Sequence, residues 1–505
     1  MHALIDTGPF QPCPAPFNLA AYVLAAGQAT PDKIALQIVG LTAAERWSYR
    51  ALTEAVRGIG TGLLDSGLVA GDRVLLRLGN TVDFPLAFLG AIAAGLVPIP
   101  TSSQLTVEEI TAMDRQVTPA AVIAAPGIAC PEGAARVIPA AMLTEWRTRV
   151  PCDWNMGDPG RLAYLIFTSG TSGNPRAVMH AHRAVWARRM MWAGWYGLTP
   201  DDRLMHAGAF NWTYTLGTGL MDPWAIGATA LIPQQTVAAA QLPLLLKRYD
   251  ATLFAAAPGV YRQMLRETVP ALPRLRHGLS AGEKLPEQTR QQWTAATGTP
   301  IYEALGMSEV STYISAAPGR PAPEGASGYP QDGRRVAVLG EDGEPVARGE
   351  GGVLAVGRED PGLFLGYWGQ PAETAAKFRG DWFVTGDTVC MDEDGAIRYL
   401  GRDDDMMNAG GYRVSPLEVE KAMNAHPDIV ESAAIEVRVS DTTSIIALYF
   451  VPAAGRADTD ALSAHAGAHL ARYKQPRQFI PVKALPKGAN NKINRRALRQ
   501  GHVTP

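Results

Sequence analysis

The 505-residue sequence has few of the features that are typical of secreted proteins, of proteins with structural metal sites or of nucleic-acid-binding proteins. It has only four cysteines, which lie far apart and form no C-x-x-C pair, so they give no metal framework and favour a reducing compartment. No block of Lys and Arg is longer than two residues, and the net charge is −2. Neither a nucleic-acid groove nor an anionic membrane surface is therefore expected, and a small-molecule partner is predicted.

Long apolar runs are also missing. The longest, at residues 84–100, is shorter than a membrane span and is interrupted by Gly and Pro. It predicts a core helix that continues into a strand. The first residues have no basic segment ahead of an apolar run, so we expect no signal peptide and a cytoplasmic location.

What the sequence does have is a repeated alternation of short β-branched runs with Ala/Leu/Arg-rich helical segments. Residues 73–79, 164–170 and 229–233 are such runs, and the alternation is typical of parallel α/β layers. A later β-rich part has turn signals at 340–345 and 392–397. An acidic, Gly-containing segment at 400–411 precedes a new amphipathic pattern, which predicts a separate C-terminal domain.

The segment TSGTSGNPRAV, residues 168–178, is rich in hydroxyl groups and glycine and carries one cation, Arg176. Backbone N–H groups, hydroxyls and an arginine converging on one point favour a phosphate. The usual nucleotide loop G-x-x-x-x-G-K-[ST] is excluded, because Pro175 stands where its second glycine belongs. A surface turn without a ligand is the alternative.

Five further motifs follow in order: LSAGEKLP (279–286), LGMSE (305–309), WFVTGD (382–387), GRDDDMMNAGGYRVSPLEVE (401–420) and PKGANNKINR (486–495). With the loop, they resemble the acyl-adenylate-forming synthetases over almost the whole chain, and in particular benzoate–CoA ligase-type acyl-CoA synthetases. The resemblance implies a mixed α/β fold. Residues 1–402 would form a large N-terminal domain of layered sheets with a β-rich subdomain, and 403–505 a small mobile α+β lid.

The resemblance implies an ATP site and one Mg²⁺ carboxylate, Glu309. Its ATP-binding residues would be Thr168, Ser169, Gly170, Thr171, Ser172, Gly173, Arg176, Ala281, Gly282, Glu283, Glu303, Leu305, Ser308, Asp387 and Arg402. Asp387 would accept the ribose hydroxyls, and Arg402 would hold the ribose. The sequence departs from the family where Arg176 replaces the usual Lys, Ala177 replaces a glycine, and Leu305 replaces a stacking Tyr. The adenine would therefore lie against aliphatic and backbone surface from Ala281, Gly282 and Glu283. A helix N-terminal charge is the alternative for Glu309, and a surface salt bridge is the alternative for Asp387 and Arg402.

The C-terminal motifs imply a catalytic lysine, Lys492, that would bridge the acyl oxygen and the α-phosphate in the transition state. The hinge of a rotating lid would be Asp404, and Gly410, Gly411 and Tyr412 would line the CoA tunnel. An exposed surface lysine and an ordinary turn are the alternatives.

The acyl pocket is predicted at Phe210, Trp212, Tyr214, Gly306 and Met307. If residues 206–228 are extended, Trp212 and Tyr214 face the same way and favour a compact aromatic or short acid over a fatty acid. Core packing is the alternative for these aromatics. The spacing of His180, His182 and His206 fits no zinc pattern.

These features predict an ATP-dependent carboxylate–CoA ligase that forms an acyl-AMP and uses ATP, Mg²⁺ and CoA. One alternative is an acyl-AMP ligase that loads a carrier protein or another acceptor; no fused carrier domain follows the lysine motif, which favours free CoA. A non-catalytic nucleotide-binding protein of the same fold is the other. A homodimer is left open.

Overall fold

The structure is a computed structural model, and it describes residues 1–168, 175–402, 405–409, 412–440, 443–453, 458–470, 472–487 and 493–501. The chain forms two compact units. The larger unit is Ile5–Arg335 with Gly357–Phe383, and the smaller unit is Met1–Leu4 with Val336–Val356 and Val384–Pro505. The predicted domain boundary between residues 402 and 403 stays a prediction.

The strands are β1 (Leu4–Asp6), β2 (Ile34–Val39), β3 (Ala44–Ser48), β4 (Arg73–Arg77), β5 (Val97–Pro100), β6 (Ala121–Ala124), β7 (Val137–Pro139), β8 (Leu162–Thr168), β9 (Arg176–Ala181), β10 (Arg203–His206), β11 (Thr229–Pro233), β12 (Leu253–Ala256), β13 (His277–Ala281), β14 (Ile301–Met307), β15 (Ser311–Ser315), β16 (Tyr329–Pro330), β17 (Arg335–Leu339), β18 (Gly351–Gly357), β19 (Gly366–Tyr367), β20 (Phe378–Arg379), β21 (Trp382–Met391), β22 (Ile397–Arg402), β23 (Met407–Ala409), β24 (Tyr412–Val414), β25 (Ile429–Ser440), β26 (Thr443–Pro452) and β27 (Gln478–Pro481).

The α-helices are α1 (Leu19–Ala25), α2 (Tyr49–Asp65), α3 (Asp83–Ala93), α4 (Val107–Val117), α5 (Ala141–Trp146), α6 (Ala184–Ala187), α7 (Asp222–Ile226), α8 (Leu242–Arg248), α9 (Pro258–Met264), α10 (Glu287–Thr297), α11 (Pro371–Ala375), α12 (Pro416–Met423), α13 (Thr459–His469) and α14 (Arg495–Gly501). Two π-helical segments, Trp192–Tyr196 and Thr215–Met221, and three short 3₁₀ turns complete the described elements.

The larger unit contains three sheets. Its main sheet has the order β16-β15-β14-β13-β12-β10-β11-β2-β3. The strands from β14 to β2 along this order are parallel, and the edge strands are antiparallel. A second, parallel sheet has the order β5-β4-β6-β7, and an antiparallel sheet has the order β19-β9-β8. The predicted parallel α/β layers are therefore present.

The apolar run at 84–100 becomes α3 followed by β5, as predicted. Every residue of α3 after Asp83 is buried. A helix that is apolar on all faces belongs in a core, and here it packs among α1, α2 and β5. By contrast α4 lies nearer the surface, and a capping box between Thr106 and Glu109 closes its first turn.

In the smaller unit, β17 pairs antiparallel with β18 and β21 pairs antiparallel with β22. Both connecting turns are the predicted ones, and Gly343 and Gly395 adopt φ of +86° and +89° there, a conformation that favours glycine. Further along the chain, β25, β26 and β27 form a sheet against which α12 and α14 pack. The amphipathic pattern predicted after residue 411 forms α12, and β26 follows it in the chain.

Candidate active site

Three of the predicted site segments lie where parallel strands of the main sheet end. Strand β10 ends at His206, β13 at Ala281 and β14 at Met307. The carboxyl ends of parallel strands lie at one edge of a sheet, which is where α/β proteins bind ligands. This edge therefore gathers the predicted acyl, adenine and phosphate segments in the larger unit.

The hydroxyl-rich loop connects the antiparallel strands β8 and β9. Thr168 and Arg176 are cross-strand partners at the base of this connection. Ser169, Gly170, Thr171, Ser172 and Gly173 lie outside the described residues. Their roles stay predictions.

Arg176 and Glu309 are joined through Tyr367, which the sequence analysis did not single out. The Arg176 guanidinium lies 5.3 Å from the centre of the Tyr367 ring and forms an ion pair with Glu373 at 2.7 Å. The Tyr367 hydroxyl donates to Glu309 Oε1 at 2.7 Å. Burial, and then the Glu309 carboxylate, raise the pKa of Tyr367, so this hydroxyl stays a donor. Tyr367 thus contacts both Arg176, the cation of the hydroxyl-rich loop, and Glu309, the predicted Mg²⁺ ligand.

The predicted adenine segment is shaped by a glycine. Gly282 follows β13 with φ of +97°, and a Cβ added there would lie 2.7 Å from the Trp212 indole. Trp212 therefore packs directly on the backbone of this segment. On the next strand, the register shifts between Leu305 and Gly306, and a Cβ on Gly306 would lie 2.5 Å from the Ser311 carbonyl oxygen. The two glycines let backbone and ring approach closely.

Glu303, predicted to bind ATP, is buried and bonded to the protein. Its carboxylate accepts from Lys284 Nζ at 3.0 Å and from Arg290 Nη2 at 3.1 Å. It also accepts from the Leu285 N–H and the Ser327 hydroxyl. These contacts make it a residue that positions the segment after β13; contact with ATP stays a prediction. Glu283 and Leu305 are partly exposed beside it.

Residues 206–228 are not extended, so the condition under which Trp212 and Tyr214 would face the same way is not met. The chain leaves β10 at His206, turns into helix at Thr213 and becomes π-helical from Thr215. Trp212 and Tyr214 therefore do not share a strand face; their rings meet edge to face with centres 5.1 Å apart. All residues of Thr215–Met221 are buried in this helical segment.

The three aromatics of this stretch differ in burial. Phe210 is 1% exposed and packs on Phe84, and Tyr214 is buried with its hydroxyl donating to the Leu279 carbonyl at 3.1 Å. Both contacts are core packing. Trp212 is the most exposed of the three and contacts the adenine segment. Gly306 and Met307 are partly exposed at the end of β14, and the acyl-pocket role of all five residues stays a prediction.

In the smaller unit, the two predicted ribose residues come together. Asp387 in β21 and Arg402 in β22 are cross-strand partners, and Arg402 Nη1 lies 3.1 Å from Asp387 Oδ1. The Tyr399 hydroxyl is 3.5 Å from the same oxygen, and Asp387 is 4% exposed. The strand register brings the pair together, which the sequence spacing alone did not indicate.

The lysine segment is fixed at its described end. Lys487 and Ile493 form a bridge, and Asn494 N donates to the Pro486 carbonyl at 2.8 Å. Arg495 donates to both oxygens of buried Glu420, at 2.7 and 2.8 Å. Lys492, Asp404, Gly410 and Gly411 lie outside the described residues, and Tyr412 is described only as the first residue of β24.

The model of the AMP-binding enzyme family matches residues 24–368, and that of the AMP-binding enzyme C-terminal domain matches residues 418–492. The chain belongs to the AMP-binding enzyme family. It is 31% identical to a 4-hydroxybenzoate–CoA/benzoate–CoA ligase of Rhodopseudomonas palustris, over 90% of this chain and 88% of that protein. It is also 31% identical to a benzoate–CoA ligase of Thauera aromatica, over 90% of each chain.

Solved structures of CoA ligases and related enzymes are similar in fold to this chain. A benzoate–CoA ligase from Burkholderia xenovorans superposes with a TM-score of 0.84 at 28% identity, covering 96% of this chain and 100% of that one. ATP-bound MatB from Rhodopseudomonas palustris gives 0.88 at 26% identity, covering 96% and 99%. The predicted resemblance, the predicted α/β fold with its small C-terminal domain, and the predicted class, an AMP-forming acid–thiol ligase, are confirmed.

No helix in the described part of the chain is long and apolar enough to cross a membrane. Sequence reasoning missed Tyr367, whose only signal is a tyrosine in the turn-forming segment GYWGQP. It also assigned no role to His180.

Proposed function

We propose that this enzyme is a carboxylate–CoA ligase that activates a compact aromatic acid as its acyl-AMP and passes the acyl group to the CoA thiol. The observation that carries this proposal is the match, over 90% of the chain, to relatives named as benzoate and hydroxybenzoate CoA ligases. The cytoplasmic location is part of the same proposal, and a homodimer stays an open possibility within it.

The chemistry requires the acid's carboxylate to attack the α-phosphorus of ATP while pyrophosphate leaves. Donors from the loop after β8 and the Arg176 cation would stabilise the charge on the phosphates. The backbone after β13 and the Trp212 ring would border the adenine. Asp387 would accept from the ribose hydroxyls, a task suited to a carboxylate with two oxygens.

Mg²⁺ would be held by Glu309, and the donor set fits this ion. One oxygen of the buried Glu309 carboxylate accepts from Tyr367, and no described residue donates to the other. The described residues gather no group of three or more His, Cys, Asp or Glu side chains that would form a full metal cage. Mg²⁺ is usually bound by one or two carboxylates together with phosphates and waters, so one carboxylate suffices. When bound, the ion neutralises charge on the phosphates.

The test is acid-dependent pyrophosphate release with ATP, Mg²⁺ and CoA, with the thioester product identified by mass. Benzoate and its hydroxylated forms are compared with short, medium and long aliphatic acids. We expect thioester from the aromatic acids and little from long chains. Acyl-AMP without thioester, and transfer only to a carrier-protein thiol, would identify the alternative acceptor instead.

Lys492 is expected to act in the first of the two half-reactions only. We expect Lys492→Ala to lower acyl-AMP formation by about 100-fold or more, because the lysine stabilises only the first transition state. Thioester formation from supplied acyl-AMP is expected to persist within a few-fold. Lys487→Ala, a nearby lysine paired with Glu431 at 3.0 Å, is the control and is expected to keep both half-reactions. Equal loss of both half-reactions in the Lys492 variant would contradict its assigned role.

A further inference from the structure

A small cavity with both polar and apolar lining lies in the larger unit beside the predicted phosphate and acyl segments. Its lining includes Tyr164, His180, Arg188, Thr213, Ser308 and Ser311. Thr213, Ser308 and Ser311 are partly exposed, whereas Tyr164, His180 and Arg188 are buried. The cavity thus leads from the end of β14 inward. With a volume of about 20 Å³ it holds one water-sized group and is too small for a ring.

His180 is the unusual member of this lining. It is 3% exposed and stacks on the Tyr164 ring with centres 4.7 Å apart, yet its buried Nε2 has no hydrogen-bond partner among the described residues. Burial, with a further contribution from Arg188, lowers the pKa of His180 to about 3, so the imidazole is neutral. A buried polar group without a partner is costly and calls for an explanation.

Arg188 supplies the complementary donor. Its Nε and Nη2 groups donate to Asp222 at 2.8 and 2.6 Å, and Nη1 donates to the Ser311 hydroxyl. Nη1 has a second N–H, and no described residue accepts from it. Ser311 itself adopts φ of +73°, an uncommon conformation for a residue other than glycine. Because Asp222 balances the Arg188 charge, the cavity suits a neutral group better than an anion.

We infer that His180 and Arg188 form a specificity site for a hydroxyl substituent on the acid. A hydroxyl donates to an imidazole nitrogen and accepts from a guanidinium N–H at the same time, which a methyl group of similar size does not do. The acid's carboxylate reacts near Ser308, the ring occupies the space toward Trp212, and the hydroxyl enters the cavity. This inference rests on the proposed function, since it places the substituent relative to the reacting carboxylate.

The experiment compares kcat/KM for the three monohydroxybenzoates with the three methylbenzoates, position by position, at pH 7.5. Hydroxyl and methyl are nearly isosteric, so their ratio reports hydrogen bonding. The wild-type enzyme is expected to prefer hydroxyl over methyl by about tenfold or more at one ring position, because a site built to hydrogen-bond a hydroxyl discriminates strongly against its absence.

His180→Phe keeps a ring on Tyr164 and removes both nitrogens, and it is expected to bring that ratio within about threefold of unity. His180→Gln keeps a donor and an acceptor and is expected to recover part of the preference. His206→Asn is the matched control: its imidazole is equally buried and has no partner among the described residues, but it lies outside the cavity lining. This control is expected to keep the wild-type ratio.

Failure of the proposed function and failure of this inference give different results in these experiments. If no acid yields a thioester, the proposed function fails and this inference falls with it. If aromatic acids are turned over but no hydroxyl exceeds its methyl counterpart, or if His180→Phe keeps the preference, only the inference is overturned and the cavity is a water site. Should His180→Phe not fold, the wild-type ratios and the His180→Gln variant decide.

Discussion

At the scale of single residues, Arg188 and Asp222 form a buried ion pair in the larger unit. Arg188 is 5% exposed and Asp222 is 1% exposed, and the Tyr196 hydroxyl also donates to Asp222 at 2.7 Å. Two charges this far from water are tolerated only because each satisfies the other. The pair therefore fixes the turn after α6 against the start of α7.

Asp222→Ala leaves the Arg188 guanidinium buried without its counter-charge. We expect the free energy of unfolding to fall by about 3–5 kcal/mol, measured by urea denaturation. Asp32→Ala is the control, because the ion pair of Asp32 with Arg50 is exposed, with side chains 85% and 55% accessible. Its loss is expected to cost about 1 kcal/mol or less. Similar losses in both variants would contradict the assigned importance of the buried pair.

At the scale of elements, the turn that leaves β13 depends on one glycine. Gly282→Ala adds both backbone strain, at φ of +97°, and a collision 2.7 Å from Trp212. Gly298→Ala is a matched control, because Gly298 has φ of +71° with no atom within 4 Å of an added Cβ. Left-handed backbone costs a residue other than glycine about 1–2 kcal/mol, so both variants are expected to lose that stability.

Only Gly282→Ala is expected to change catalysis, since the displaced ring and backbone border the proposed adenine site. We expect its KM for ATP to rise about tenfold or more, with Gly298→Ala near the wild-type value. Steady-state kinetics with saturating acid and CoA measures this. An unchanged KM in the Gly282 variant would show that this segment does not contact the nucleotide.

Local sequence predicted most elements but not how they meet. The apolar run of α3, the β-branched runs of β4, β8 and β11, and the two hairpin turns each follow from short-range pattern. The conformation after β10 was not predicted, because the helical segment Thr215–Met221 packs on β10 and β11, and local pattern does not encode such contacts. Likewise, the contact of Tyr367 with Glu309 joins residues 58 positions apart, which periodicity does not encode.

At the scale of the whole molecule, the larger unit buries histidines in neutral form. Burial lowers the pKa of His180, His182 and His206 to about 3, with Arg188, Arg183 and Arg161 adding to the effect at the first two. In the unfolded chain these groups titrate near the ordinary value of about 6.5. Between these two values the unfolded state binds more protons than the native state, so stability falls as the pH falls.

This linkage predicts acid sensitivity well above the range in which carboxylates titrate. Stability is complete above about pH 6.5, and each histidine costs about 2 kcal/mol at pH 5, because one pH unit corresponds to about 1.4 kcal/mol per proton. We expect urea denaturation to show a steep loss of unfolding free energy between pH 7.5 and pH 5.0.

His206→Asn removes one titrating imidazole, so its loss of unfolding free energy over this interval is expected to be smaller by about 2 kcal/mol, whatever its stability at pH 7.5. The His2→Asn variant, at an exposed histidine near the chain start, is the control for substitution of a surface histidine. Parallel pH profiles for wild type and His206→Asn would mean that His206 is accessible to protons in the native state, and the buried-histidine account of acid stability would be wrong.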